Sequence, residues 1–162
     1  MADSFSPAPA GAPGGTERQH WMAVLARAGA DEISARLSAC SDLPSWRVLR
    51  GPESGLVMVR GRAGGGGAPF NLGEMTVTRC TVRTGSGTDG FTGHAHVAGR
   101  DARQAELAAA VDALLQDASL RVVLTDRIIE PLAAAQRARR ADIAAKAAAT
   151  KVQFFALRNM RS

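Results

Sequence analysis

His94 and His96 stand one residue apart. On an extended chain that spacing sends both imidazoles to the same face. A hairpin symmetric about residue 87 sets Cys80 near His94, and a Cys/His/His trio suits zinc or iron. The trio lacks a fourth ligand, and strands also carry histidine for packing. Packing is the favoured account, and no residue is assigned to metal. Arg60, Arg62, Arg79, Arg83 and Arg100 fall on or beside the same strands. A guanidinium fork grips phosphate or carboxylate through two parallel N–H bonds, so arginines on adjacent strands can converge on a polyphosphate. The plainer account is a solvated face, or ion pairs with Glu74 and Asp101. Glu53, Glu74 and Asp101 are acid–base candidates, yet no second carboxylate stands at a diagnostic spacing. No Ser-His-Asp or Cys-His arrangement is legible, so no catalytic residue is assigned.

The glycines of "GGGGAPFNLGEMTVTRC", residues 64–80, raise a second possibility, a phosphate cradle. A P-loop needs a lysine and a serine or threonine after its glycines, and then a helix. Here Ala-Pro-Phe follows, and then a strand, so no helix dipole faces an anion. A dinucleotide fingerprint fails for the same reason. The stretch reads as a flexible connection between strands that can become ordered on a partner or ligand.

The elements that position these groups follow from periodicity. A helix is expected from Glu17 to Ala28, with Trp21, Val24, Leu25 and Ala28 on one face and Gly29 as a left-handed stop. A second short helix is expected with Asp31 as N-cap. Strands are expected at 46–50, 56–62, 74–83 and 91–98, with "GPESG" (51–55) as a turn. Asp101 followed by Gln104 resembles a capping box for a helix to about Gln116. Residues 121–130 are ambiguous and read as extended. Pro131 fits the first turn of a long Ala-rich helix to about Ala149. The tail 151–158 reads as a last strand or a docking segment. The fold class is α+β. An antiparallel sheet of about four to five strands packs against N-terminal, central and long C-terminal helices.

The chain has 162 residues, the size of one domain, expected over 17–162 behind a disordered leader, 1–16. Its net charge is +5, carried almost wholly by arginine, since Lys146 and Lys151 are the only lysines. The charge is scattered, which is a poor footprint for duplex nucleic acid. The two cysteines, Cys40 and Cys80, form no CxxC pair. No signal peptide or membrane-length apolar run is present, so a soluble, cytoplasmic, reduced protein is expected.

Five segments, in order, carry a resemblance: "RQHWMAVLARA" (18–28), "GLVMVRGRAGGGGAPFNLGEMTVTRCTVR" (55–83), "GHAHVAGRDARQAELAAAVDALLQ" (93–116), "IIEPL" (128–132) and "KVQFF" (151–155). Together they resemble the G subunit family of the bacterial carbon–phosphorus lyase core complex. The resemblance implies a non-catalytic subunit in phosphonate use, assembled with the H, I and J subunits and linked functionally to L and K. It implies that the I subunit, supported by G, H and L, displaces adenine from ATP with methylphosphonate. It further implies that the J subunit, with an iron–sulfur cluster and S-adenosylmethionine, later cleaves the carbon–phosphorus bond. No cofactor is expected on this chain alone. The expected partner or substrate contacts are Arg60, Arg62, Phe70, Asn71, Gly73, Glu74, Arg79, Arg100 and Asp101, with the I subunit as direct partner. Where this chain has His94 and His96, the family tends to carry aromatic rings, which favours packing over metal. A standalone nucleotide- or polyphosphate-binding module is the alternative.

Overall fold

The β-branched run around Val77 forms the middle of a three-stranded antiparallel sheet in a computed structural model that describes residues 17–85 and 90–151. Strand β1 is Trp46–Arg62, β2 is Pro69–Thr84 and β3 is Thr92–Ala98, in spatial order β1-β2-β3. The sheet is smaller than expected, because "GPESG" does not reverse the chain. Residues 51–55 are absorbed into β1 by register shifts between Val48 and Arg50 and between Arg50 and Glu53. Pro52 has no N–H to give to a ladder, which an edge strand tolerates. Gly51 takes φ 75, where a Cβ would sit 2.7 Å from the Arg79 carbonyl oxygen. Strand β2 also starts earlier than expected, at Pro69, so the second half of the glycine-rich connection is strand.

Helices α1 (Glu17–Leu25) and α2 (Ala30–Ser38) precede the sheet. Helices α3 (Ala102–Gln116), α4 (Ala118–Leu124) and α5 (Glu130–Ala149) follow it. Helix α3 packs against all three strands and also against α1, α2 and α4. Residues 108–115 are buried without interruption, which marks a helix covered on every side. Its alanines let backbones approach closely. The other helices stack behind it around Trp21, Leu25, Ile33, Leu124, Ile128 and Leu132.

Asp101 caps α3 as its sequence suggests, its side chain accepting from the Gln104 N–H at 2.8 Å. Other boundaries differ. Gly29 is not a left-handed stop: it has φ −69 and is itself the N-cap of α2, in place of Asp31. The last carbonyls of α1 are met by the following turn, the Arg27 N–H donating to Val24 at 3.2 Å and the Ala28 N–H to Leu25 at 3.3 Å. They are also met from outside by Gln136 donating to Val24 at 2.9 Å, while Gln104 donates to Ala26 just beyond the helix at 3.2 Å. Residues 121–130 are helical, not extended. Leu124, Ile128 and Leu132 recur every fourth residue and are all buried, so the period of the longer window overrode the β-branched residues. Asp117 starts this run by accepting from the Ser119 N–H at 2.8 Å. A π turn over Thr125–Ile129 joins α4 to α5 just before Pro131. Proline there cannot bond the Arg127 carbonyl and crowds it, and a widened turn relieves both problems. The leader and the tail beyond Lys151 lie outside the described residues.

Glu32 ties α2 to α5. The Gly29 N–H donates to its carboxylate at 3.1 Å, and Arg139 donates at 3.0 Å. The Gly29 bond, opposed by partial burial and supported by Arg139 and Arg36, holds this carboxyl below its ordinary value. A depressed carboxylate adds stability that is present above its unfolded value and is lost as pH falls through the folded one. The Glu32 side-chain carbon should therefore titrate below unstructured glutamate by NMR, and Arg139→Ala should move the midpoint back up.

Candidate functional site

Strand β3 covers only part of β2. Its ladder runs from Val77↔Ala98 to Arg83↔Thr92. The β1–β2 ladder continues past it to Arg62↔Pro69. Residues 56–62 and 69–76 therefore leave the sheet as a two-stranded arm, about 20 Å long at the usual rise per residue. Its base is locked. The Thr78 hydroxyl donates to the Gly99 carbonyl at 2.7 Å and pairs with Ser54 at 2.9 Å, while the Gly99 N–H donates to Thr76 at 2.9 Å.

The arm is apolar and uncovered. Leu56 is 63% exposed, Leu72 62% and Met58 51%, and Val57, Phe70 and Met75 are exposed as well. Alternation puts Leu56 and Met58 on one face and Val57 on the other, so both faces carry large apolar groups. Leu72 is an extra residue on β2, at the register shift between Val59 and Arg60, and its methyls lie against Gly61. A ribbon of two strands is marginal in water by itself. Exposed apolar surface of this kind marks a contact surface for another macromolecule.

Six of the nine sequence-picked residues fall on this arm. Arg60 pairs with Asn71, Phe70 with Gly61, Gly73 with Val59, Glu74 with Met58, and Arg62 with Pro69 at the tip. A cleft of ≈ 610 Å³ at the tip is lined by Arg60, Gly61, Arg62, Gly65 and Pro69. Arg62 donates to the Gly67 carbonyl at 3.0 Å and so braces the glycine loop. Arg100 sits near the arm's base, next to Gly99. Asp101 is occupied as the α3 cap. Arg79 lies apart, on the helix-free face of the sheet, where it donates to Glu53 at 2.8 Å beside Arg50 at 2.9 Å. Desolvation pushes the Glu53 carboxyl up, but its bonds to Arg79 and Arg50 outweigh this and hold it below its ordinary range.

The Cys/His/His trio does not form. Thr81, not Cys80, faces His94, and Cys80 pairs with Ala95. The observed ladder differs by one residue from symmetry about residue 87, and one step moves a side chain to the other face. Cys80 is buried toward the helices, and desolvation, then Glu106, pushes its thiol up. His94 and His96 lie on the exposed face, with His94 Nδ1 3.2 Å from the Thr81 hydroxyl. Among the described residues no group of three His, Cys, Asp or Glu is placed to hold a metal. Leu56, Met58, Leu72 and Met75 are exposed apolar residues of the arm that sequence reasoning did not single out. Their signal was present: residues 56–59 are apolar on both sides of the alternation, leaving the strand no polar face.

No helix among the described residues is long and apolar enough to cross a membrane. Residues 16–159 match the family model described as "Phosphonate metabolism protein PhnG". The chain is also 45% identical over 144 residues to the alpha-D-ribose 1-methylphosphonate 5-triphosphate synthase subunit PhnG of Rhizobium meliloti (strain 1021), covering 89% of this chain and 90% of that relative. The family match over residues 16–159 and the 45% identity across most of both chains lead to one conclusion: this chain belongs to the PhnG family of phosphonate metabolism proteins.

Proposed function

We propose that this chain is a non-catalytic subunit of a synthase that joins methylphosphonate to the ribose of ATP with release of adenine. The arm is its handle on a neighbouring subunit. One observation carries this reading: a locked, two-stranded extension exposes apolar side chains on both faces, and the domain itself covers neither. The family resemblance supplies the expected partners, the H, I and J subunits of the carbon–phosphorus lyase core complex, with the I subunit in direct contact. Links to L and K are functional. ATP, and the iron–sulfur cluster with S-adenosylmethionine on J, belong to that assembly. Asn71 and Glu74 make the directional contacts of the arm. A standalone nucleotide- or polyphosphate-binding module gains no support from either match.

Co-expression with the H, I and J subunits, read by native mass spectrometry, tests this. The wild-type chain should elute in a defined assembly that contains the I subunit. Leu56→Asp combined with Leu72→Asp should weaken association by about 30-fold or more, as expected for a contact at the centre of an interface. Thermal unfolding of the isolated variant should stay close to wild type, because both side chains are already exposed. Normal assembly of the double variant, with association lost on deleting residues 151–158, would move the interface to the tail.

A further inference from the structure

We infer that the tip of the arm is an anion site, built from Arg60, Arg62 and the glycine loop, that binds the polyphosphate chain of the synthase substrate inside the assembly. This rests on the subunit reading above and adds a role for the end of the arm that docking does not require.

Arg18, Arg50, Arg79, Arg103 and Arg139 each hold a carboxylate within 3.0 Å. Arg60 and Arg62 hold none among the described residues. Arg47, Arg100, Arg127 and Arg140 also lack a carboxylate partner among the described residues, but only at the tip do two such arginines line one described cleft with no acidic residue beside them. Arg62 has only the neutral Gly67 carbonyl, and Arg60 makes no hydrogen bond or ion pair with any described residue. Both lie on β1 beyond its last register shift and two residues apart, so both leave the same face. Both line the same ≈ 610 Å³ cleft, and no acidic residue shares that lining. Two unneutralised guanidinium groups are thus held side by side at the far end of an apolar arm.

The loop suits an extended anion. Nothing lies within 4 Å of the position a Cβ would take at Gly64, Gly65 or Gly66. Ligand oxygens can therefore reach the backbone without meeting side chains. Gly64 and Gly65 also take positive φ, at 58° and 80°, which other residues adopt with strain. Arginine is the fitting residue here, because its fork matches phosphate oxygens two at a time. A triphosphate presents several such oxygens in a row. The arm would carry this pair about 20 Å away from the sheet, so the anion is held against a neighbouring subunit and not on the domain.

The experiment uses the co-purified assembly with Arg60→Gln, Arg62→Gln and the pair, plus Arg62→Lys. Native mass spectrometry reads composition, calorimetry reads affinity for inorganic tripolyphosphate, and steady-state kinetics read KM for ATP against kcat. Each glutamine variant should leave the composition intact and weaken tripolyphosphate binding by about tenfold or more, the size of a lost charge-assisted pair. KM for ATP should rise in parallel while kcat changes little, and Arg62→Lys should recover part of the affinity. Intact assemblies with unchanged tripolyphosphate affinity and unchanged KM overturn the inference and leave the subunit reading standing. Assemblies that fall apart on Arg60→Gln or Arg62→Gln also overturn it, because the arginines then pair with carboxylates of the partner. A wild-type chain that joins no assembly overturns both readings at once.

Discussion

Asp112→Ala should cost the chain about 3–5 kcal/mol, enough to leave most small domains largely unfolded. The side chain is fully buried on α3 and accepts four hydrogen bonds. Arg18 donates from Nε at 3.1 Å and from Nη2 at 2.8 Å, Trp21 Nε1 donates at 2.8 Å, and the His94 backbone N–H donates at 2.9 Å. One carboxylate thus ties α1 to α3 and α3 to β3. Arg18 is 39% exposed and can turn to water, so its loss is the smaller part. The larger part is the Trp21 and His94 N–H groups, each left buried without an acceptor at about 1–3 kcal/mol. Asp112→Asn keeps the volume and one acceptor, and should fall between the two. Urea unfolding of the three proteins checks this. A loss below about 1 kcal/mol for Asp112→Ala would show that water or relaxation satisfies the two donors.

Gly93→Val should be comparably severe, at about 3 kcal/mol or more, the upper end of what overpacking costs. A Cβ at Gly93 would fall against the Ala109 carbonyl oxygen and the Ala113 backbone nitrogen. Both are backbone atoms of α3 and cannot rotate aside. The helix would have to lift from β3, taking Ala109, Ala113 and Leu114 out of close packing. Gly55→Ala is the matched control. It is also a strand glycine, but nothing lies within 4 Å of its Cβ position and its φ is not positive. It should stay within about 0.5 kcal/mol of wild type. Equal effects at the two positions would mean that strand propensity, not the α3–β3 approach, sets the cost. In the co-expressed assembly Gly93→Val should deplete this subunit through its instability, whereas the arm variants deplete it while it remains folded.

These two residues show where sequence reasoning stops. The motif "GHAH" drew attention to its imidazoles, yet Gly93, just before them, meets the helix. Asp112 lies among apolar residues of the same helix, and sequence alone assigns it no role. Its partners Trp21 and His94 are 91 and 18 residues away, and no local pattern connects them. The metal trio failed on one step of register, which loop symmetry cannot supply because residues on both sides of the connection choose the pairing.

What the sequence by itself determined is what depends on neighbours in the chain: the helical stripes of α1 and α3, the Asp101 cap, the alternation of β2 and β3, and the ordered motifs that place the chain in its family. Even the arm's unusual composition was legible at residues 56–59. Tertiary structure alone decided that β1 runs through "GPESG", that β1 and β2 continue past the end of β3 as an arm, and that Arg79 pairs with Glu53. Helix caps and alternation are settled by bonds a few residues long. Strand length, register and charge pairing are settled by which distant surface arrives opposite, and a strand continues past a proline when its partner strand extends beside it.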